Sequence, residues 1–151
     1  MIGKRGHFIK HHIIMFIVMI LVGMAFNPMN ALAFRLSDLY ISTTLFYGGI
    51  LMASNMMWAH EIVHWFVSGN FNIGIFILGI ILSLCVTFFL LRQQFLITDK
   101  QWLKRMISHH STALTTSEKI FNRTKDPKLR QLARQIIDTQ KIEIYMMKSM
   151  I

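Results

Sequence analysis

The chain has 151 residues and a net charge of +9, with 54% hydrophobic but only 15% charged residues. A water-soluble domain carries about 25% charged residues. The deficit here is concentrated between Ile13 and Leu91, where the only charged side chains are Arg35, Asp38 and Glu61, so that half is excluded as a soluble globule and belongs in lipid. The basic excess comes from Lys4, Arg5 and Lys10 and from the tail after Leu91, where acidic Asp99, Glu118, Asp126, Asp138 and Glu143 are interspersed. This mixture lacks the basic stripe with interleaved aromatics of a single-strand nucleic-acid binder and suits an anionic membrane surface instead.

The first apolar run, Ile13 to Phe26, follows the basic start and is interrupted at Asn27-Pro28, with Ala31-Leu32-Ala33 beyond. A basic start, a short apolar core, a breaker and an A-x-A end describe a secretory signal peptide cleaved after Ala33. An uncleaved first span from about Phe8 to Phe26 is the alternative, so residues 1–33 are a signal peptide or a first span. The second run, Ile41 to Val67, supplies the ~20 residues that a bilayer requires. Ser68-Gly69-Asn70 is a turn signal, and Phe71 to Leu91 is an uninterrupted third run closed by Arg92. Residues 34–92 are thus expected to form a two-span region. Either reading of the first segment places the chain in the cell (inner) membrane and leaves the C-terminal tail outside the cytoplasm. The positive charges flanking the last span, Arg92, Lys100, Lys104 and Arg105, run against the positive-inside rule on this point.

His60-Glu61-Ile62-Val63-His64 matches H-E-x-x-H, a spacing that puts two imidazoles on one helical face beside a carboxylate able to polarise a zinc-bound water. An intramembrane metalloprotease would need a third ligand, and no Asp, Glu or His lies inside the other apolar runs. The structural alternative places the polar tips of this segment at a span end, with Trp58 and Trp65 as interfacial aromatics. Metal binding without catalysis is also open, because Met52, Met56, His60 and His64 recur every four residues on one stripe. Met56, His60, Glu61 and His64 are therefore secondary metal candidates, and no enzymatic activity is expected.

Beyond the spans, Thr98 and Gln101 have capping-box spacing and open an amphipathic helix to about Arg123. Asp126-Pro127 is an N-cap followed by proline at the first helical position. The second helix is expected to bury Leu129, Leu132, Ala133, Ile136, Ile137, Ile144 and Met147. The short Thr124-Lys125 join predicts an antiparallel hairpin over residues 98–151, with Met106, His109 and His110 facing Gln140, Glu143 and Met147. His110 falls on the apolar seam and needs a partner. A hydrogen bond to Gln140 or Glu143 and a metal ion both meet that need.

The segment W-L-K-R-M-I-S-H-H-S-T-A-L, followed by R-T-K-D-P-K-L-R-Q-L-A-R-Q-I-I-D-T-Q-K-I-E-I-Y-M-M-K-S-M, resembles the family called domain of unknown function 305. That family looks like a ferritin-like helical domain with M-x-x-H-H on one helix and Q-x-x-E-I-x-x-M on the next. The matching positions are Met106, His109 and His110, then Gln140, Glu143, Ile144 and Met147. The family usually has proline where this chain has Ser108. Membrane-anchored members also resemble it at Phe46-Tyr47, in the Met52 to Met57 stretch and at Arg92-Gln93-Gln94. Some members are implicated in copper binding or tolerance outside the cytoplasm. The resemblance implies a metal site of Met106, His109, His110, Glu143 and Met147, a soft thioether and imidazole set suited to Cu(I), with Glu143 able to serve Cu(II).

The expected protein is therefore all-α: two or three transmembrane helices followed by a helical hairpin, a ferritin-like half-bundle. Its expected role is binding copper, for sequestration or tolerance, with the lipid bilayer and a second copy of the hairpin as partners and no nucleic acid. A non-catalytic interaction module is the competing role.

Overall fold

Helix boundaries follow the chain's own stop signals. In the computed structural model, which describes residues 2–151 and side chains from residue 10 onward, α1 runs Ile2–Ala25 and ends before Asn27-Pro28. The Asn27 side chain caps the short α2, Pro28–Ala31, accepting from the backbone N–H groups of Met29 and Asn30 at 3.0 and 3.1 Å. A 3-10 turn at Leu36–Asp38 leads to α3, Thr43–Ser68. Gly69 closes α3 at φ +70°, a left-handed conformation that glycine adopts without a Cβ penalty. α4 spans Ile73–Cys85 and continues as π-helix over Val86–Leu91. Thr98 and Asp126 then cap α5, Asp99–Arg123, and α6, Pro127–Ser149, as their sequence signals predict. The chain is all helical, and no strand occurs among the described residues. The side chains of Lys4 and Arg5, read above as the basic start, lie outside the described ones.

The chain divides into two compact units. Unit 1 comprises Met1–Ala25 and Thr44–Leu96, hence α1, α3 and α4. Two stretches are long and apolar enough to cross a membrane, Lys10–Ala31 with 22 residues and Ile73–Leu91 with 19. Small residues let the helices of this unit approach closely. A Cβ on Gly49 would meet the Ile20 carbonyl at 2.8 Å, and one on Gly79 would meet the Trp58 backbone nitrogen at 2.9 Å. Tyr47 is buried and donates its hydroxyl to the Phe95 carbonyl at 2.9 Å.

Unit 2 comprises Phe26–Thr43 and Ile97–Ile151. Its core is the seam of the α5–α6 hairpin: Leu103, Ile107, Leu114, Ile137, Ile144 and Met147. Residues 26–43, which the sequence divides between an N-terminal segment and a two-span region, instead form a strap across the hairpin. Phe34 and Tyr40 pack against the seam. The polar residues of α5 explain why the strap lies there. Ser111 accepts from the Phe34 N–H at 2.8 Å, Ser108 donates to the Asp38 carbonyl at 2.8 Å, and Thr112 donates to the Met29 carbonyl at 3.0 Å. The Gln101 side chain accepts from the Thr43 N–H at 2.9 Å. The Asp38 side chain is 2% exposed and receives both the Ser111 hydroxyl and the Lys148 ammonium. Asp38 is thus a buried anchor between the strap and the hairpin.

Candidate metal centre

The two candidate constellations fall in different units. In the hairpin, Met106 and His110 stand one turn apart on α5, and α6 brings Glu143 to His110 and Met147 to the seam. His110 is half-buried, with Nε2 3.6 Å from Glu143 Oε2, farther than a hydrogen bond reaches. Among the described residues its buried Nδ1 has no hydrogen-bond partner, and neither does the buried Oε1 of Gln140. The polar pair that would satisfy His110 without a metal is therefore not formed. Burial pushes the His110 pKa below the ordinary histidine value; Glu143 opposes that shift, and His109 adds to it. The imidazole is consequently neutral at neutral pH, the form that binds metals. Met147 is buried in the seam and Met106 packs against the same cluster. His109 is exposed, with its ring 5.9 Å from that of His110. The strap grips α5 at Ser108 and Ser111, on either side of the two histidines, and α6 at Lys148, next to Met147. Ser108, the departure from the family's proline, thus serves as a strap contact that a proline could not provide.

In unit 1 the H-E-x-x-H segment does not act as a block. Glu61 is 3% exposed, and its Oε2 accepts from the Asn72 N–H at 2.9 Å. Its Oε1 lies 3.7 Å from Nε2 of His12 and 3.9 Å from Nδ1 of His60. His64 lines the same cavity as His60, with the two rings stacked 6.0 Å apart, but both of its nitrogens are engaged elsewhere, Nδ1 3.1 Å from the Asn70 carbonyl and Nε2 3.3 Å from the Ser68 hydroxyl. Met56, on the same four-residue stripe, is 37% exposed and does not line the cavity at His60. His12 is the residue that sequence reasoning missed. Partners for Glu61 were sought inside the apolar runs, and His12 stands one residue ahead of Ile13, where the first run begins. Its place at the apolar boundary of α1 was the available signal.

Fold and hairpin together define an all-helical protein whose C-terminal helix pair carries a methionine, histidine and glutamate cluster. Residues 93–151 match the family model described as domain of unknown function (DUF305). An uncharacterized protein of Acanthamoeba polyphaga mimivirus is 36% identical over 128 residues, covering 83% of this chain and 81% of that one. The chain belongs to the domain of unknown function 305 family. No solved structure matches it.

Proposed function

We propose that the protein is a membrane-tethered copper-binding protein whose hairpin holds Cu(I) outside the cytoplasm, for sequestration or transfer. The observation that carries this reading is His110: a half-buried imidazole whose buried Nδ1 has no hydrogen-bond partner among the described residues, on a hairpin where the buried Oε1 of Gln140 lacks one as well. An orphaned buried polar atom costs about 1–3 kcal/mol, and a bound ion removes that penalty. Met106, His110 and Met147 are the proposed ligands, with His109 and Glu143 as further donors. Two thioethers and an imidazole form a soft set matched to Cu(I) rather than to a hard cation. The two apolar stretches in Lys10–Ala31 and Ile73–Leu91 support the tether.

Competition titration of the full-length protein with Cu(I) under reducing conditions tests the site. His110→Leu should weaken binding roughly 100-fold or more, beyond the ~10–100-fold that outer-shell partners carry, while helical content is retained. Unchanged affinity in a His109→Ala, His110→Leu double variant would rule this site out and favour a non-catalytic interaction module.

The same reading includes pairing of two hairpins into a four-helix bundle, the usual way to close such a core. It rests on the apolar stripe left open on α6, where Leu129, Leu132, Met146 and Met150 are 40%, 50%, 46% and 67% exposed. Light scattering in mild detergent should give a dimer for the wild type and a monomer for Leu132→Glu combined with Met146→Glu. A wild type that stays monomeric at tens of micromolar removes pairing from the proposal.

A further inference from the structure

We propose that His12, His60 and Glu61 form a second, independent metal site in unit 1, suited to a divalent ion of the zinc type. The argument begins with Glu61. A carboxylate buried to 3% exposure on an otherwise apolar stretch of α3 demands compensation. One oxygen has the Asn72 N–H; among the described residues the other faces two imidazole nitrogens, 3.7 and 3.9 Å away. The other described residues that wall the cavity are His64, Asn70, Phe71 and Asn72, none of them a cation of the lysine or arginine type.

The spacing fits a metal better than hydrogen bonds. The three ligand atoms lie within 4.8 Å of one another. Tetrahedral bonds of ~2.0–2.1 Å hold neighbouring ligand atoms about 3.3 Å apart. The observed gaps exceed a hydrogen bond and need only side-chain rotation to reach that value. Nδ1 of His60 is buried and has no hydrogen-bond partner, so it is free to ligate. The Asn72 N–H fixes the far oxygen of Glu61, an outer-shell contact of the kind that orients metal ligands.

Two imidazoles and one carboxylate make a borderline donor set without sulfur, unlike the hairpin's. The cavity of about 280 Å³ leaves space for a water or small anion in a fourth position. His64 is held by Asn70 and Ser68, so Glu61 acts as a ligand here and not as a base between two zinc-bound histidines.

The test uses metal-free full-length protein in mild detergent and zinc alone, with Co(II) as a spectroscopic substitute. Tight zinc binding should persist in the His109→Ala, His110→Leu variant and in His11→Gln. It should weaken roughly 100-fold or more in His12→Gln and in His60→Gln, above the range of outer-shell effects. Co(II) should give visible bands of tetrahedral intensity in the wild type and lose them in His12→Gln. If His12→Gln does not fold, His12→Cys decides: a folded variant that binds Co(II) with a new thiolate charge-transfer band upholds the site. Absence of that band, or undiminished zinc affinity in both histidine variants, overturns it. Loss of zinc in the hairpin variant alone also overturns it, whereas failure of Cu(I) binding at the hairpin leaves it standing.

Discussion

Replacing Lys148 with methionine should destabilise the hairpin unit by about 3 kcal/mol, at the low end of the ~3–5 kcal/mol for stranding one member of a buried ion pair. Methionine keeps most of the aliphatic stem and removes only the charge. Asp38 then stays buried at 2% exposure with the Ser111 hydroxyl, at 2.7 Å, as the remaining donor to its side chain. The value belongs at the low end because the Lys148 side chain is 31% exposed, so water already screens the pair in part. Asp38→Asn should cost only about 1–2 kcal/mol, since the amide still accepts from Ser111 and the freed ammonium can reach solvent. Combining the two changes should recover part of the Lys148→Met loss, giving a coupling of about 1–2 kcal/mol in a double-mutant cycle. Denaturant unfolding of the full chain measures all three. If Lys148→Met proves no more damaging than Asp38→Asn, the strap is not anchored by this pair.

The second large effect is expected in unit 1. Gly79→Leu should separate α4 from α3 and lower stability by about 1–3 kcal/mol, the usual penalty for overpacking. Even the first added carbon would sit 2.9 Å from the Trp58 nitrogen and 3.2 Å from the Ser54 carbonyl oxygen. Both are backbone atoms of α3 and cannot swing aside as a flexible side chain would. Gly48 is the matched control, because a Cβ there meets nothing within 4 Å. Gly48→Ala should be neutral or stabilising by up to ~1 kcal/mol through helix propensity. Thermal unfolding in detergent distinguishes the two. Equal midpoints for Gly79→Leu and Gly48→Ala would show that the α3–α4 approach is looser than drawn.

The helices were legible in the sequence because their limits are set by local chemistry. Thr98, Asp126 and Asn27-Pro28 each mark a boundary through a side chain bonded within three residues, and the hairpin seam follows from three-four spacing on either side of a short turn, except at Leu129 and Leu132, which were expected to be buried and are exposed because they face away from α5. The all-α class followed from the same signals, and the family from the resemblance carried by the hairpin's own sequence. Residues 26–43 were not legible. Their attachment depends on Ser108, Ser111 and Thr112 of α5, which are buried or half-buried and face the strap. Periodicity treats such small polar residues as a solvated flank. The burial of Asp38 was hidden for the same reason, since its partners Ser111 and Lys148 lie far along the chain. The π-helical turn at Val86–Leu91 likewise has no marker in an apolar run of ordinary composition. In the hairpin, counting from the turn set His110 across from Glu143, and the two side chains lie 3.6 Å apart. His60, Glu61 and His64 were grouped by the H-E-x-x-H spacing and joined to Met56 by a four-residue stripe, and neither signal could show that a neighbour of Glu61 comes from α1.

The strap also fixes an order of events during synthesis. Asp38 leaves the ribosome 110 residues ahead of Lys148, and Phe34 precedes Ser111 by 77. Closing loops of that length is slow compared with zipping a helical hairpin whose contacts are local. The hairpin therefore forms first, and the strap docks onto a surface that already exists. Until Lys148 is made, Asp38 has no cation to meet. The last turn of α6 thus serves as the latch of unit 2, and a nascent chain stalled short of it holds its strap by the α5 contacts alone, with Asp38 lacking its Lys148 partner.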